Sequence, residues 1–343
     1  MTFSLKDVYK YLAMNSILGG RNLLYGIIGC FMVSISVWFL LLSSGKTSTQ
    51  NHRNHHVPFN VEPRNPIYEM ASQLPFPIIF PVKTKTSPPL SVACYANDQI
   101  ICKFLREKGR WDVFDHQEKI LAHYFNNNNN NNNNRKQRYF MDFGSNLGLF
   151  ALLLAAQSSD WKGIAVEALF SSIIEFNVYA NRLEKQIKVV SGALAENGVG
   201  KVKMKLVADN PGGSLVTDQG NVEVQRMTID DIVEKYEHEG FIPKGVEFDY
   251  VKMDVEGWEV KALRGATKLL QQKRVKIWHL EYSIYIKNGG DEPKELHRMM
   301  VNAGYTVYLD PERTKLITLD NYEVTSLVDV FAFRNDLLTS TNL

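Results

Sequence analysis

From residue 138 onward, short apolar runs alternate with segments whose apolar residues recur at helical spacing. The apolar runs predict nine strands: Tyr139–Phe143, Gly163–Glu167, Ile187–Ser191, Val202–Leu206, Val222–Met227, Phe248–Asp254, Val275–Glu281, Tyr305–Leu309 and Val328–Arg334. The helical patterns fall at Leu147–Gln157, Ser171–Leu183, Ile229–Glu239, Trp258–Gln272 and Pro293–Ala303, and one more helix is predicted ahead of them at Asp115–Phe125. This alternation predicts an α/β fold with a doubly wound, mostly parallel sheet.

A long apolar segment precedes this pattern. Leu23–Leu42 contains no charged residue, and about 20 helical residues span a hydrocarbon core of about 30 Å. A cleaved signal peptide is the alternative, but its apolar core is usually shorter, about 7–15 residues. We therefore predict an uncleaved single-pass anchor. The basic residues before it favour a cytosolic tail at 1–22 and a catalytic domain in the lumen of the ER or Golgi.

The segment between the anchor and the main domain is polar and rich in proline. Ser43–Pro89 lacks a sustained period and is typical of an extended stem. We assign 43–110 to the stem and an N-terminal extension, and 111–343 to the main domain. Nine consecutive asparagines, Asn126–Asn134, interrupt the domain and predict a disordered surface loop.

Charge and cysteine content narrow the possible functions. The formal net charge of +2 gives no bulk electrostatic reason to expect a nucleic-acid partner. Cys94 and Cys102 could pair in an oxidising lumen, although two cysteines are weak evidence for a disulfide. No Cys/His group has the spacing of a zinc site, so we predict no bound metal. The oligomeric state is not predicted.

A glycine-containing loop follows the first strand of the main domain. The sequence MDFGSNLGLF places Gly144 and Gly148 four residues apart, which differs from the dinucleotide-binding pattern G-x-G-x-x-G. Gly144 allows a tight turn and close approach of a ligand to the backbone. Gly148 would open a helix whose N-terminal amides favour an anionic group, and Asp142 could receive an ammonium group.

Other acidic residues end neighbouring strands. Glu167 ends the next strand, where an acid can accept both hydroxyls of a ribose. Asp254 and Glu256 follow the apolar strand that begins at Phe248 and could bind substrate, accept a proton or hold a cation. Glu281 ends another strand and should open onto the same cleft, while His279 is either a base or a packing residue.

These segments resemble the FkbM family of S-adenosylmethionine-dependent methyltransferases. The resemblance is strongest in MTIDDIV (Met227–Val233) and DYVKMDVEGWEVKALRGATKLL (Asp249–Leu270), and DFGSNLG matches the family's D-x-G-x-N-x-G. The resemblance implies a Rossmann-like class I methyltransferase fold. It also implies S-adenosylmethionine as cofactor and O-methylation of a hydroxyl, often on a sugar, glycan or related small molecule.

The resemblance also implies roles for individual residues. The cofactor would be held by Asp142, Gly144, Asn146 and Gly148 around its methionine part, Glu167 at its ribose and Ala193 beside its adenine. Asp254, Glu256 and Glu281 would face the acceptor, and the role of Asp254 as general base is our inference.

Two other functions stay open. A lumenal glycosyltransferase has the same anchor, stem and domain order, and Asp254 and Glu256 resemble its metal-binding D-x-D motif. A membrane-anchored module that keeps the fold but lacks activity is the second alternative.

Overall fold

The computed structural model describes residues 77–125, 137–207 and 209–339. The predicted cytosolic tail, the membrane anchor, most of the stem and the asparagine run lie outside these residues. Within the described ranges, no helix is both long and apolar enough to span a membrane.

The core of the fold is a seven-stranded sheet. Its strands are β3 Arg138–Phe143, β4 Trp161–Glu167, β5 Ile187–Ser191, β10 Phe248–Met253, β11 Val275–Ser283, β12 Tyr305–Tyr308 and β13 Leu327–Arg334. Their order in the sheet is β12-β13-β11-β10-β3-β4-β5. Strands β5, β4, β3, β10 and β11 are parallel, and β13 runs antiparallel to both of its neighbours. The predicted α/β class and mostly parallel sheet are therefore confirmed.

Helices cover both faces of this sheet. The helices are α1 Ile101–Lys108, α2 Asp112–Ile120, α3 Leu149–Gln157, α4 Ser171–Ala180, α5 Ile229–His238, α6 Glu259–Arg264, α7 Thr267–Gln271, α8 Pro293–Asn302 and α9 Asp336–Thr339. Alternate residues of a strand point to opposite faces: Phe140 packs in the core with α3 and α4, whereas Met141 packs in the core with α5 and α8. Because both faces are covered, the strands are continuous apolar runs.

A hairpin before the main sheet shares one of these cores. Strands β1 (Ile78–Lys83) and β2 (Ser91–Tyr95) are antiparallel. The buried Asn177 of α4 accepts a hydrogen bond from Ala93 N (2.6 Å) and donates one to Leu147 O (2.9 Å). Residues 78–110, which the sequence assigned to an extension, therefore pack as part of the domain core.

A second, four-stranded sheet has the order β6-β9-β7-β8. Its strands are β6 Ala193–Leu194, β7 Lys201–Lys205, β8 Leu215–Val216 and β9 Val222–Met227. Two runs that the sequence counted with the main sheet, at 202–206 and 222–227, pair here instead. Their alternating exposed and half-buried residues suit a sheet with one solvated face.

Two local expectations also change. The helix predicted over Trp258–Gln272 is two short helices, because the chain bends at Gly265, where an added Cβ would lie 2.2 Å from Ala195 O. Cys94 and Cys102 are both buried free thiols, so the disulfide that the spacing allowed is absent from the structure. The hydrogen bond with the neighbouring Cys94 thiol, followed by burial, raises the pKa of Cys102.

Candidate active site

The carboxyl ends of β3, β4, β10 and β11 surround a cavity of about 320 Å³, within the usual range of about 300–1,000 Å³ for small-molecule sites. This is the edge at which open parallel sheets bind their ligands. The predicted site residues that line the cavity are Asp142, Gly144, Asn146, Glu167, Ala193, Asp254, Glu256 and Glu281.

Gly144 brings two strand ends together. Its φ is +74°, and an added Cβ would lie 1.7 Å from the carbonyl oxygen of Asp254. Its amide donates to Val166 O at 3.0 Å. Only glycine fits this close approach in the left-handed region, so the loop after β3 is fixed against both β4 and β10.

Gly148 begins α3, as the sequence predicted. It is the N-cap of α3 with a φ of +79°, and an added Cβ would lie 2.9 Å from a methyl of Ile174. Gly148 does not line the cavity. Its small size instead allows α3 to begin close against α4.

Asp142 is buried behind the glycine loop. One oxygen, Oδ2, accepts a hydrogen bond from Ala151 N at 3.3 Å, whereas Oδ1 has no hydrogen-bond partner among the described residues. Burial raises the pKa of Asp142 to about 6. Asn146 is in the left-handed region, with a φ of +50°, and its buried Oδ1 is likewise unpartnered within the described chain.

Glu167, at the end of β4, fixes the glycine loop that follows β3. Oε2 accepts a hydrogen bond from Asn146 N at 2.9 Å, and Oε1 accepts one from Leu169 N at 3.0 Å. The backbone carbonyl of Glu167 accepts a hydrogen bond from Gly192 N at 3.0 Å, which places Ala193 on the adjoining wall. Each carboxylate oxygen keeps a second acceptor position for a ligand.

An ion pair lies at the end of β10. Lys252 Nζ donates to Asp254 Oδ2 at 2.8 Å, and Lys252 lies opposite Asp142 in the pairing of β10 with β3. Burial alone would lower the pKa of Lys252, but the carboxylates of Asp254 and Asp142 outweigh it and raise the pKa. The motif K-x-D thus places a fixed positive charge between two acids.

Two further acids face the same space. Glu256 has a φ of +55°, an uncommon conformation for a residue with a side chain. Burial, with the nearby Asp254, raises the pKa of Glu256 to about 8. Burial and the same acids raise the pKa of Glu281 well above its usual range, and Glu281 Oε2 lacks a hydrogen-bond partner in the described residues. Both shifts favour the protonated form of these carboxyls near neutral pH.

Glu259 is a site residue that the sequence reasoning left without a role. Its Oε1 accepts hydrogen bonds from Val255 N (3.0 Å) and Gly257 N (3.3 Å), so it fixes the turn that carries Glu256. It is fully buried, and burial raises its pKa to about 7. The spacing in D-V-E-G-x-E, which returns an acid to the start of a helix, was the available signal.

His279 lies behind the cavity wall and does not line it. Its ring is 1% exposed and stacks on Tyr250 with an interplanar angle of 10°. Asp329 of β13, which the sequence analysis did not identify, lines the cavity with Oδ2 3.2 Å from His279 Nε2.

Residues 142–307 match the family model described as the methyltransferase FkbM domain. The chain carries an FkbM methyltransferase domain. No curated protein matches the chain.

Solved structures similar to the domain are also methyltransferases. A human methyltransferase 10 domain containing protein is 15% identical, with 72% of this chain and 90% of that chain covered and a TM-score of 0.36. A precorrin-6y C5,15-methyltransferase from Geobacter metallireducens is 8% identical, covering 64% and 89%, with a TM-score of 0.34. An O-methyltransferase from Bacillus cereus in complex with SAH is 12% identical, covering 57% and 72%, with a TM-score of 0.32.

The cofactor of an FkbM methyltransferase is S-adenosylmethionine, and the cavity has groups that fit it. The unpartnered oxygens of Asp142 and Asn146 offer acceptors for an ammonium group, and Gly144 leaves the backbone uncovered beside them. Glu167 offers acceptor positions for ribose hydroxyls.

Proposed function

We propose that the FkbM methyltransferase domain transfers a methyl group from S-adenosylmethionine to a hydroxyl oxygen of a sugar, glycan or related small molecule. The observation that carries this proposal is one cavity lined on one side by the glycine loop and Glu167, and on the other by Asp254, Glu256 and Glu281. A cofactor and an acceptor can therefore meet in the same space.

The cofactor side is assigned residue by residue. Asp142 and Asn146 would hold the methionine part, with Gly144 providing the close backbone approach. Glu167 would accept the ribose hydroxyls, and Ala193 would lie against the adenine. Gly148 would act indirectly, by setting the start of α3, since it contacts Ile174 and does not line the cavity.

The acceptor side would supply hydrogen bonds and a proton acceptor. When bound, S-adenosylmethionine supplies a methyl group already activated by its sulfonium, so positioning of the acceptor oxygen is the main task of the protein. Asp254 would accept the hydroxyl proton, because the raised pKa values of Glu256 and Glu281 leave these two protonated. Their protonated carboxyls would donate hydrogen bonds to other acceptor oxygens.

The polarity of the acceptor side supports a polyhydroxylated substrate. The carboxyl groups of Asp254, Glu256, Glu281 and Asp329 line the cavity there, and hydroxyl groups can both donate to and accept from such groups. We also propose that Leu23–Leu42 anchors the enzyme as a single-pass protein with the domain in the lumen of the ER or Golgi. A nucleic-acid acceptor is not expected, since the net charge is near zero.

A product assay tests the proposal. The full-length chain is incubated with S-adenosylmethionine and a panel of monosaccharides, glycosides and glycans, and the demethylated cofactor is quantified. For an accepted substrate, Asp254→Asn should lower turnover by about 10²–10⁴-fold with unchanged cofactor affinity. Asp320→Asn, at an exposed acid outside the cavity, is the matched control.

Two results would contradict the assignment. Equal turnover of Asp254→Asn and Asp320→Asn would remove Asp254 as proton acceptor. Cofactor binding without methylation of any hydroxyl compound, but with methylation of a nitrogen or carbon acceptor, would reject O-methylation while keeping the methyltransferase assignment.

A further inference from the structure

Three potential metal ligands converge behind the acceptor side of the cavity. They are His116 Nδ1 on α2, His279 Nε2 on β11 and Asp329 Oδ2 on β13, and all three atoms lie within 4.8 Å of one another. Asp329 Oδ2 is 3.1 Å from His116 Nδ1 and 3.2 Å from His279 Nε2.

The sheet pairing explains this convergence. Asp329 lies directly opposite Glu281 in the antiparallel pair of β11 and β13, and His279 lies opposite Phe331. His279 and Asp329 are thus diagonal neighbours on one face of the sheet. The ring of His116 packs against Phe331 at 5.3 Å between centroids, which holds it over the same two residues.

The geometry also suits coordination of one metal ion. Asp329 Oδ2 lies within ion-pair distance of both ring nitrogens, so the three ligand atoms already face one another. Two ligands that are each about 2.0–2.2 Å from one metal ion lie roughly 3.0–3.5 Å apart. The observed distances of 3.1 and 3.2 Å fall within this range.

A second contact orients one of the rings. His279 Nδ1 is 3.3 Å from the hydroxyl oxygen of Tyr250. A ring that donates from Nδ1 to this oxygen keeps the Nε2 lone pair for a metal ion, and metal-bound histidines commonly have such a partner on the other nitrogen.

The surrounding charges tolerate a cation. Asp112 lines the cavity together with Asp329. Two positive groups lie nearby, and both are already paired: Lys252 with Asp254 at 2.8 Å and Lys119 with Glu312 at 2.9 Å. The Asp329 side chain is 30% exposed and lines the cavity, so the cluster reaches the acceptor side through this carboxylate.

We propose that His116, His279 and Asp329 bind one divalent first-row transition-metal ion of the zinc class. Two imidazole nitrogens and one carboxylate oxygen are ligands that such ions prefer, and this set leaves coordination positions open. The ion would lie at the edge of the cavity and could take an oxygen of the acceptor. Metal binding is measured without cofactor or acceptor, so its test is independent of the proposed methyl transfer.

The test measures metal binding by the full-length chain after removal of metals with a chelator. Equilibrium dialysis against zinc gives affinity and stoichiometry, and cobalt in place of zinc gives a visible spectrum. Three N-terminal histidines could bind zinc independently: His52, His55 and His56. All three are therefore replaced by asparagine in a background protein, and every variant is made in this background. This background protein should bind one zinc ion per chain.

Two variants and one matched control decide the proposal. His116→Asn and Asp329→Asn should each weaken zinc binding by at least about tenfold and abolish the cobalt spectrum. His123→Asn replaces an exposed histidine just beyond the same helix and should bind zinc like the background protein. His116 is only half-buried, so its replacement should leave the fold intact, which thermal unfolding and S-adenosylmethionine binding verify.

Other outcomes would overturn the proposal. One is that the background protein is folded but binds no zinc. The other is that the background protein, His116→Asn and Asp329→Asn all bind zinc with equal affinity. Loss of methyl transfer with zinc binding intact would count against the proposed function and leave the metal site standing.

Discussion

Replacement of Gly144 by alanine tests whether the close contact between the glycine loop and the end of β10 fixes the site. The left-handed backbone, with a φ of +74°, costs a side chain about 1–2 kcal/mol. The added Cβ would also lie 1.7 Å from Asp254 O, far inside the 3.0 Å that real Cβ contacts respect. The two strand ends must then separate, and such overpacking typically costs about 1–3 kcal/mol more.

The chain provides a control for the backbone cost alone. Gly240 has nearly the same φ, +70°, but an added Cβ there has no atom within 4 Å. Gly240→Ala should therefore lose about 1–2 kcal/mol of unfolding free energy, and Gly144→Ala about 2–5 kcal/mol.

Urea unfolding of both full-length variants measures this difference, and calorimetric titration measures their affinity for S-adenosylmethionine. Only Gly144→Ala should also weaken cofactor binding, because the clash moves the loop that carries Asn146. Equal stability losses in the two variants, or an unchanged cofactor affinity in a folded Gly144→Ala protein, would refute the reasoning.

Two further predictions concern stability. Burial raises the pKa of Glu259 from 4.5 to about 7. Its neutral carboxyl therefore adds about 3 kcal/mol to the free energy of unfolding. This contribution is fully present below pH 4.5 and is lost as the pH rises through about 7. Urea unfolding at several pH values should show that the free energy of unfolding of Glu259→Gln does not undergo this decrease. The same pH dependence in Glu259→Gln and wild type would contradict the prediction. Asn177→Ala removes the bonds to Ala93 and Leu147 and should lower the unfolding free energy by about 1–3 kcal/mol, whereas Asn197→Ala in an exposed turn should change it little.

The sequence predicted the parts of the site that follow strand ends. Parallel strands meet at one edge with their carboxyl ends, so Asp142, Glu167, Asp254 and Glu281 could be placed together before any coordinates. The sequence analysis did not predict the ion pair between Lys252 and Asp254, although residues two apart on a strand share a face.

Other features depend on contacts that sequence spacing does not encode. His116 and Asp329 come from a helix before the sheet and from its antiparallel strand, and only the tertiary packing brings them to His279. The hairpin at 78–95 looked like part of a stem because prolines dominate its surroundings, yet Asn177 joins it to the core. The separate sheet of β6 to β9 was missed because its runs resemble those of the main sheet.

Calorimetric titration of the full-length chain with S-adenosylmethionine and its demethylated product tests the central claim most directly. We predict micromolar binding that weakens at least about tenfold in Glu167→Ala, which loses the acceptor for ribose hydroxyls, and less in Glu167→Gln, which keeps one acceptor oxygen. Glu184→Ala, at an exposed position, should bind like wild type. A folded wild-type protein that binds neither compound, or a folded Glu167→Ala protein that binds both with wild-type affinity, would contradict the account.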